Sequence, residues 1–274
     1  MFGPLVESGT AEIRCIGELE ALLWPAVADL GVDALVTTRA GGVSTGPYGS
    51  LNLGLHVGDD PDAVRENRRR AAHAIGAGLD DLVFANQVHG VRAAVVTEND
   101  AGKGARRVED AIAGADALVT RAVGPVLVTL VADCAPILLV DPDARVLATV
   151  HAGWRGALAG TVAAAIAAME GLGARPAHIF AWIGPVVDAA TYEVGPEVAE
   201  AASAALGDQA PAVLAPMGDR WRFDVAEANR RRLLAAGLPE HHVHRPQFTT
   251  ADDRFFSDRA ARPCGRFGLM ARLR

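Results

Sequence analysis

Short apolar runs, rather than long ones, dominate the middle of this chain. Residues 82–84, 93–97, 116–120, 125–132, 135–140, 145–150 and 179–183 are rich in Val, Leu, Ile and Ala and are bounded by turn residues, the pattern of strands. The three runs between 125 and 150 are nearly continuous, as expected of strands buried on both faces. Asp59-Asp60-Pro61 is a helix start signal and predicts a helix over 63–75, stopped near Gly76 and Gly78. An Ala-rich stretch predicts a helix over 156–172, ended by Gly171 and Gly173. Two more are expected over 196–205 and 225–236, the second halted by Gly237-Leu238-Pro239. Residues 254–269 read as a strand region with loops. Strands and helices mix without strict βαβ alternation, so an α+β class with a mixed or antiparallel sheet is expected.

Between 36 and 58 periodicity lapses into Gly, Ser, Thr and Asn, including Arg39-Ala40-Gly41-Gly42 and Ser50-Leu51-Asn52-Leu53-Gly54. So long a polar stretch inside a compact protein is usually a functional loop.

Composition narrows the class. A chain of 274 residues can bury a sizeable core, and its formal charge of −7 argues against nucleic-acid binding. Arg68-Arg69-Arg70 and Arg230-Arg231-Arg232 sit near Glu residues in predicted helices and read as solvated faces. Glu7, Glu12 and Glu18 leave no room for a secretory apolar region. Asp133 interrupts the apolar run over 126–139, and the run over 157–169 is too short to span a bilayer. Cys15, Cys134 and Cys264 are odd in number and far apart, which suits a reducing compartment better than a disulfide framework. A cytoplasmic protein without a membrane or nucleic-acid partner, and with no obligate protein partner evident, is expected.

Candidate chemistry gathers around one hairpin. Asp141-Pro142-Asp143-Ala144 suits a four-residue loop on a type I turn. If Val140 pairs with Arg145, Cys134 falls opposite His151, with Cβ atoms about 4.5–5.5 Å apart. A thiolate and an imidazole that close either share a metal ion or form a nucleophile–base pair. His89, in Asn86-Gln87-Val88-His89-Gly90 at the end of another predicted strand, offers a third ligand. A His–Cys–His set leaves a fourth tetrahedral position open, as catalytic zinc sites require, and bound water there has a pKa near 7. The spacing is not a compact ligand motif, and core packing is the competing reading. His151-Ala152-Gly153-Trp154-Arg155-Gly156 marks a strand-to-helix junction. Its helix N-terminus and Arg155 suit an anion, and an ordinary tight turn with a solvated Arg is the alternative.

These segments carry a family resemblance. His151–Gly156, Ala132-Asp133-Cys134-Ala135-Pro136, Asn86–Gly90 and Thr37-Thr38-Arg39-Ala40-Gly41-Gly42 resemble the multicopper polyphenol oxidase (laccase-domain) family, also called the peptidoglycan editing factor family. Ser50–Gly54, His56-Val57-Gly58-Asp59, Asn67-Arg68 and Phe255-Phe256-Ser257 extend the likeness, which runs from about Asp33 to the C-terminus. The resemblance implies a central β-sandwich of mixed sheets flanked by helices, shared with a deamidase toxin, and one catalytic domain over 1–274. It implies a purine nucleoside phosphorylase with adenosine deaminase and S-methyl-5′-thioadenosine phosphorylase activity in the same site. It also implies zinc on His89, Cys134 and His151. Ligand type alone leaves copper open, since both metals accept imidazole and thiolate. Thr249-Thr250 stands where many members carry Cys-Thr, and residues 186–190 lack the cysteine often found there, so those regions receive no site role.

For the implied reactions, Arg39 and Arg155 are candidates to hold phosphate, because planar guanidinium forks match its oxygens. Asn52 and His56 are candidates to reach the sugar or base, or equally to stabilise their loop. Asp133, the carboxylate nearest in sequence to the proposed metal, is expected to face away from Cys134 and to support it, with a catalytic role as the alternative. Three other readings stand beside the nucleoside enzyme. One is a metal-free hydrolase or amidase with Cys134 as nucleophile and His151 as base. Another is a non-catalytic cell-wall quality-control factor. The last is a copper polyphenol oxidase, poorly matched by eight histidines whose only dense cluster, His241-His242-x-His244, reads as a surface loop.

Overall fold

Alternation along the strands sorts the apolar residues into three layers of core in the computed structural model, which describes residues 10–274. Glu7 lies outside the described residues. The chain opens with β1 (Glu12–Ile16), β2 (Leu19–Leu23), α1 (Pro25–Asp29) and β3 (Val32–Thr37). A long loop leads to α2 (Pro61–Ala74), β4 (Leu82–Phe84) and β5 (Ala93–Val96). The centre holds β6 (Ala117–Thr120), β7 (Val126–Val131), β8 (Ala135–Asp141) and β9 (Val146–Ala152). Then come α3 (Trp154–Ala159), α4 (Thr161–Glu170), β10 (Phe180–Ile183), β11 (Glu193–Val194) and α5 (Pro196–Leu206). The remainder is β12 (Leu214–Met217), β13 (Arg220–Phe223), α6 (Val225–Ala235), β14 (Val243–His244) and β15 (Phe267–Leu273).

Two six-stranded sheets form, in the orders β1-β2-β3-β15-β7-β4 and β14-β10-β8-β9-β6-β5, beside a small β11-β13-β12 sheet. Both large sheets are mixed: β4 runs parallel to β7, β5 to β6 and β14 to β10, while the other neighbours are antiparallel. Leu138, Val140, Leu147 and Trp182 of one sheet meet Leu127, Val131, Phe267 and Leu269 of the other, closing the sandwich. Their neighbours along the strands, Ile137, Leu139, Ala148 and Val150, point the opposite way onto α3–α6. On the far side of the first sheet Val126, Val128 and Met270 pack with Ala71 and Ala72 of α2. The strands β7, β8 and β9 are therefore covered on both faces, which is why their sequences are continuously apolar. The mixed sandwich flanked by helices is the expected α+β fold. None of the described helices is long and apolar enough to cross a membrane.

The structure corrects several local expectations. Val140 pairs with Leu147, not Arg145, so Pro136 rather than Cys134 lies opposite His151. The cause is Asp141, which stays in the strand and accepts the N–H groups of Asp143 and Ala144 at 3.0 Å each, with Arg145 left-handed at φ 51°. The displacement is two residues, so no side chain changes face. The single helix over 156–172 is broken into α3 and α4 by Gly160 at φ 100°. Only β15 is a strand within and beyond 254–269, and the meander β1–β3 was not expected from the pattern. His242 and His244 are no surface loop: they stack on Phe180 and Trp182, with ring centroids 3.8 and 5.1 Å apart. Arg68 is not solvated either. It is 3% exposed, donates to the carbonyls of Leu53, Gly104 and Ala105, and lies 3.8 Å from the centroid of the Phe84 ring. Arg69 and Arg70 do pair with Glu66 at the surface.

Candidate metal centre

The site lies at one end of the sandwich, where four connections converge. After β4 the chain leaves its sheet, and the Gln87 side chain takes over the pairing. Its amide donates to the Leu130 carbonyl at 2.8 Å and accepts the Leu130 N–H at 2.9 Å, as a strand neighbour would. His89 then adopts φ 59°, a left-handed conformation that non-glycine residues rarely take. That turn aims three successive N–H groups, of Val88, His89 and Gly90, at the Asp116 carboxylate over 3.3, 2.9 and 2.7 Å. Thr161, first residue of α4, fastens the same loop by donating its hydroxyl to the Gly90 carbonyl at 2.6 Å.

Cys134 is set by a second unusual backbone. Asp133 precedes it at φ 97° and turns its carboxylate to Thr250, Ser257 and the Arg259 N–H at 2.5, 2.7 and 2.6 Å. Asp133 thus anchors the C-terminal loop, and Thr250 serves as its partner. The third element is β9, which carries His151 on the sandwich face and buries it. The His151 Nδ1 is 2.8 Å from Asp116, whose side chain is wholly enclosed. A carboxylate only accepts, so Nδ1 donates and Nε2 is left for the cysteine side.

The three groups come together. The Cys134 Sγ is 3.8 Å from the His89 Nε2, the two imidazole centroids are 4.7 Å apart edge to face, and the ligand atoms of all three lie within 4.8 Å of one another. Bonds of about 2.3 Å to sulfur and 2.0–2.1 Å to nitrogen around a tetrahedral zinc separate neighbouring ligand atoms by roughly 3.5 Å. One thiolate and two imidazoles at this spacing fit such an ion. Burial opposes ionisation of Cys134, yet the charge and hydrogen bonds of His151, with help from His89, draw the thiol down to about 6. Burial likewise opposes a charged His151, while Cys134 and Asp116 push it up to about 9. These shifts favour a thiolate–imidazolium pair, and a bound cation would take the place of the shared proton.

The cluster opens into a cavity of about 500 Å³, also lined by His56, Arg155, Tyr192, Arg259 and Arg262. Arg155 is exposed there, its guanidinium 4.3 Å from the Trp154 ring centroid. The helix behind it, α3, is only six residues long, so the anion-attracting helix end expected at this junction is a single short segment. His56 is held below the usual imidazole range by burial and by the charges of Arg266 and Arg68. Arg39 and Asn52 do not line the cavity. Arg39 donates to the Gly49 carbonyl at 2.9 Å and lies over Phe256. Asn52 is wholly buried, accepting from Gly54 and Arg266 and donating to Gly54 and Asp59. With Asn67, which bonds Val43, Ser44, Ser50 and Asn52, it knits the polar loop. Asp116, Tyr192, Arg259 and Arg262 were missed as site residues. A carboxylate opening an apolar strand was the one visible signal for Asp116, because such a group needs donors when buried.

Among the described residues a second ligand-type group, Asp141, Asp143 and His178, is already consumed by the hairpin turn and by an Asp143–His178 contact of 2.6 Å. Residues 33–274 match the family model for multi-copper polyphenol oxidoreductase laccase. The chain belongs to that laccase family. A relative named purine nucleoside phosphorylase in Corynebacterium glutamicum is 42% identical over 236 residues, 86% of this chain and 92% of the relative. The purine nucleoside phosphorylase YlmD of Geobacillus stearothermophilus is 37% identical over 85% of this chain and 86% of its own. The crystal structure of YlmD superposes with a TM-score of 0.91 at 34% identity, covering 97% of this laccase-family chain and all of its own. A Bacillus licheniformis hypothetical protein, YfiH, gives the same TM-score at 31% identity, covering 96% and 99%.

Proposed function

We propose that this laccase-family protein is a cytoplasmic, zinc-dependent purine nucleoside phosphorylase, with residues 1–274 forming one catalytic unit. Adenosine deamination and phosphorolysis of S-methyl-5′-thioadenosine belong to the same site in this reading. The observation that carries it is the meeting of a three-ligand centre with the guanidinium groups of Arg155 and Arg259 in one cavity. The names of the relatives support the nucleoside class, and the donor set, one thiolate and two imidazoles, suits zinc.

When bound, the metal would supply Lewis-acid chemistry at the cavity. His89, Cys134 and His151 would hold it, and Asp116 keeps the His151 proton on Nδ1. Arg155 offers its guanidinium to the phosphate that attacks the ribose C1′ as the bond to the purine nitrogen breaks. Arg259 faces the same space, with its ring contact on Tyr192 at 5.7 Å. Tyr192, kept protonated first by burial and then by the nearby Cys134 charge, presents a phenol hydroxyl to the same cavity. His56, held neutral at the rim, presents an imidazole to sugar or base.

A second reading is favoured by one contact, the 2.8 Å bond from His151 to Asp116. Cys134, His151 and Asp116 then form a nucleophile, its base and the carboxylate that orients the base, the arrangement of a metal-free hydrolase or amidase. Elemental analysis of the purified protein with nucleoside turnover measured with and without phosphate separates the two. Near-stoichiometric zinc and phosphate-dependent release of purine support the phosphorylase. Turnover that survives complete metal removal and is abolished by iodoacetamide overturns it in favour of the hydrolase.

A further inference from the structure

We propose that Asp116 is the positioning residue that assembles the metal centre, fixing two of its three ligands with one carboxylate. The inference rests on His89, Cys134 and His151 being metal ligands, and it concerns a residue that is not among them.

Four donors converge on this side chain. Its Oδ1 accepts from the His89 N–H at 2.9 Å and from the His151 Nδ1 at 2.8 Å. Its Oδ2 accepts from the N–H groups of Val88 at 3.3 Å and Gly90 at 2.7 Å. A carboxylate has about four acceptor directions, so all of them are used and none is left for the metal or for substrate. The backbone is enlisted as well, since the His151 N–H donates to the Asp116 carbonyl at 2.7 Å. Three consecutive N–H groups pointing into one concavity form an anion-binding nest. Here the anion is part of the protein, and the residue at the apex of the nest is His89.

Two ligand coordinates follow from this one group. The nest holds His89 in its left-handed turn, which sends the imidazole towards Cys134. The bond to Nδ1 fixes the His151 tautomer and ring plane, leaving Nε2 as the ligand atom. A single oxygen serves both histidines, so displacing Asp116 disturbs both together. An amide in its place has one accepting atom where the carboxylate has two. Whichever way it is turned, its NH₂ group faces donors, either His89 and His151 or Val88 and Gly90.

The test compares zinc affinity of the wild-type chain and Asp116→Asn by competition with a chromogenic chelator, with circular dichroism and thermal melts confirming the fold. Loss of an outer carboxylate from a histidine ligand costs 10–100-fold in metal affinity, and a loss in that range is expected here. A second measurement needs no variant. In zinc-loaded wild-type protein, long-range ¹H–¹⁵N correlations are expected to show His151 protonated at Nδ1 and coordinated through Nε2. A folded Asp116→Asn that binds zinc as tightly as wild type, or a His151 coordinated through Nδ1, overturns the inference while leaving the metal centre intact. A wild-type chain that binds no zinc removes both. If Asp116→Asn fails to fold, the tautomer measurement decides.

Discussion

Gly153 lies so close to Cys134 that a methyl group built on it sits 2.5 Å from the sulfur. The glycine has φ −75°, an ordinary value for any residue, so its requirement is one of space and not of backbone freedom. Its contact is with the sulfur of the candidate metal centre, whose position the preceding Asp133 turn already fixes.

Gly153→Ala is therefore expected to push the Cys134 sulfur out of place while leaving the fold standing. Zinc content and nucleoside turnover should each fall at least tenfold, with a circular dichroism spectrum like that of wild type. Full metal occupancy in the variant would show that the cysteine is not a ligand.

Arg155→Ala tests the anion site separately from the metal. A charge-assisted hydrogen bond contributes about 1.5–3 kcal/mol, so the KM for phosphate should rise about 10–100-fold with zinc content unchanged. An unaltered phosphate KM removes Arg155 from the phosphate site.

Asn52 gives the opposite signature. Asn52→Ala strips partners from the buried backbone N–H of Gly54 and the part-buried N–H of Arg266, which costs about 2–4 kcal/mol. Melting temperature is expected to drop by several degrees while phosphate KM in the folded protein stays put. A variant with normal melting and a raised nucleoside KM would instead place Asn52 against the substrate.

Metal removal offers a chemical check. Chelator-treated protein is expected to lose turnover, to be alkylated at Cys134 by iodoacetamide, and to regain activity on adding zinc. Zinc-loaded protein should resist alkylation at that cysteine, as peptide mass spectrometry can establish. Equal alkylation with and without zinc would mean that the thiolate is not engaged by the metal.

The pH dependence of stability has a definite sign. His56, His242 and His244 all have pKa values lowered chiefly by burial, with neighbouring Arg or His charges adding to it. Unfolded imidazoles protonate near 6.5, so below about that pH the unfolded chain takes up protons that the native one refuses. Stability should then fall as pH drops from about 6.5 towards the folded-state values. The metal-free Cys134–His151 pair adds little slope between about 6.5 and 8.5, because native and unfolded chains each bind one proton there. Thermal melts of metal-free protein from pH 7.5 to 5 measure this, and His242→Phe should flatten part of the decline. A melting temperature that rises on acidification would contradict it.

Much of the fold was legible because its signals are local. Asp60 does cap α2, accepting the Asp62 N–H at 3.0 Å ahead of Pro61, and the buried runs did become β7, β8 and β9. The hairpin register slipped because Asp141 acts both as strand residue and as turn-maker, a double role that a pattern of apolar positions does not separate. The meander β1–β3 escaped because Glu12, Arg14, Glu20 and Asp33 interrupt its strands, the first of them half-exposed at the edge of the sheet. Arg68 was readable in principle. It shares a helical face with Val64, Ala71 and Ala72, and that spacing outweighs the charge run it sits in. His89, Cys134 and His151 could be gathered from motifs, but Asp116 could not, since its four donors come from residues 26 to 35 positions away. Arg39 and Asn52 have site-type chemistry, yet its use is settled by the fold, which turns both into loop fasteners.

The strand order of the first sheet bears on how the protein is made. β15 is inserted between β3 and β7, although it leaves the ribosome more than a hundred residues after either. Until then that sheet exists as two separate pieces, β1-β2-β3 and β4-β7, each with a bare hydrogen-bonding edge. The pairings that join them span about half of the sequence for β15 with β7 and most of it for β15 with β3, the kind of contact that folds slowly. The sandwich core and the cradle of Cys134 are thus late products of synthesis, and the nascent chain carries both sticky edges through about half of its translation.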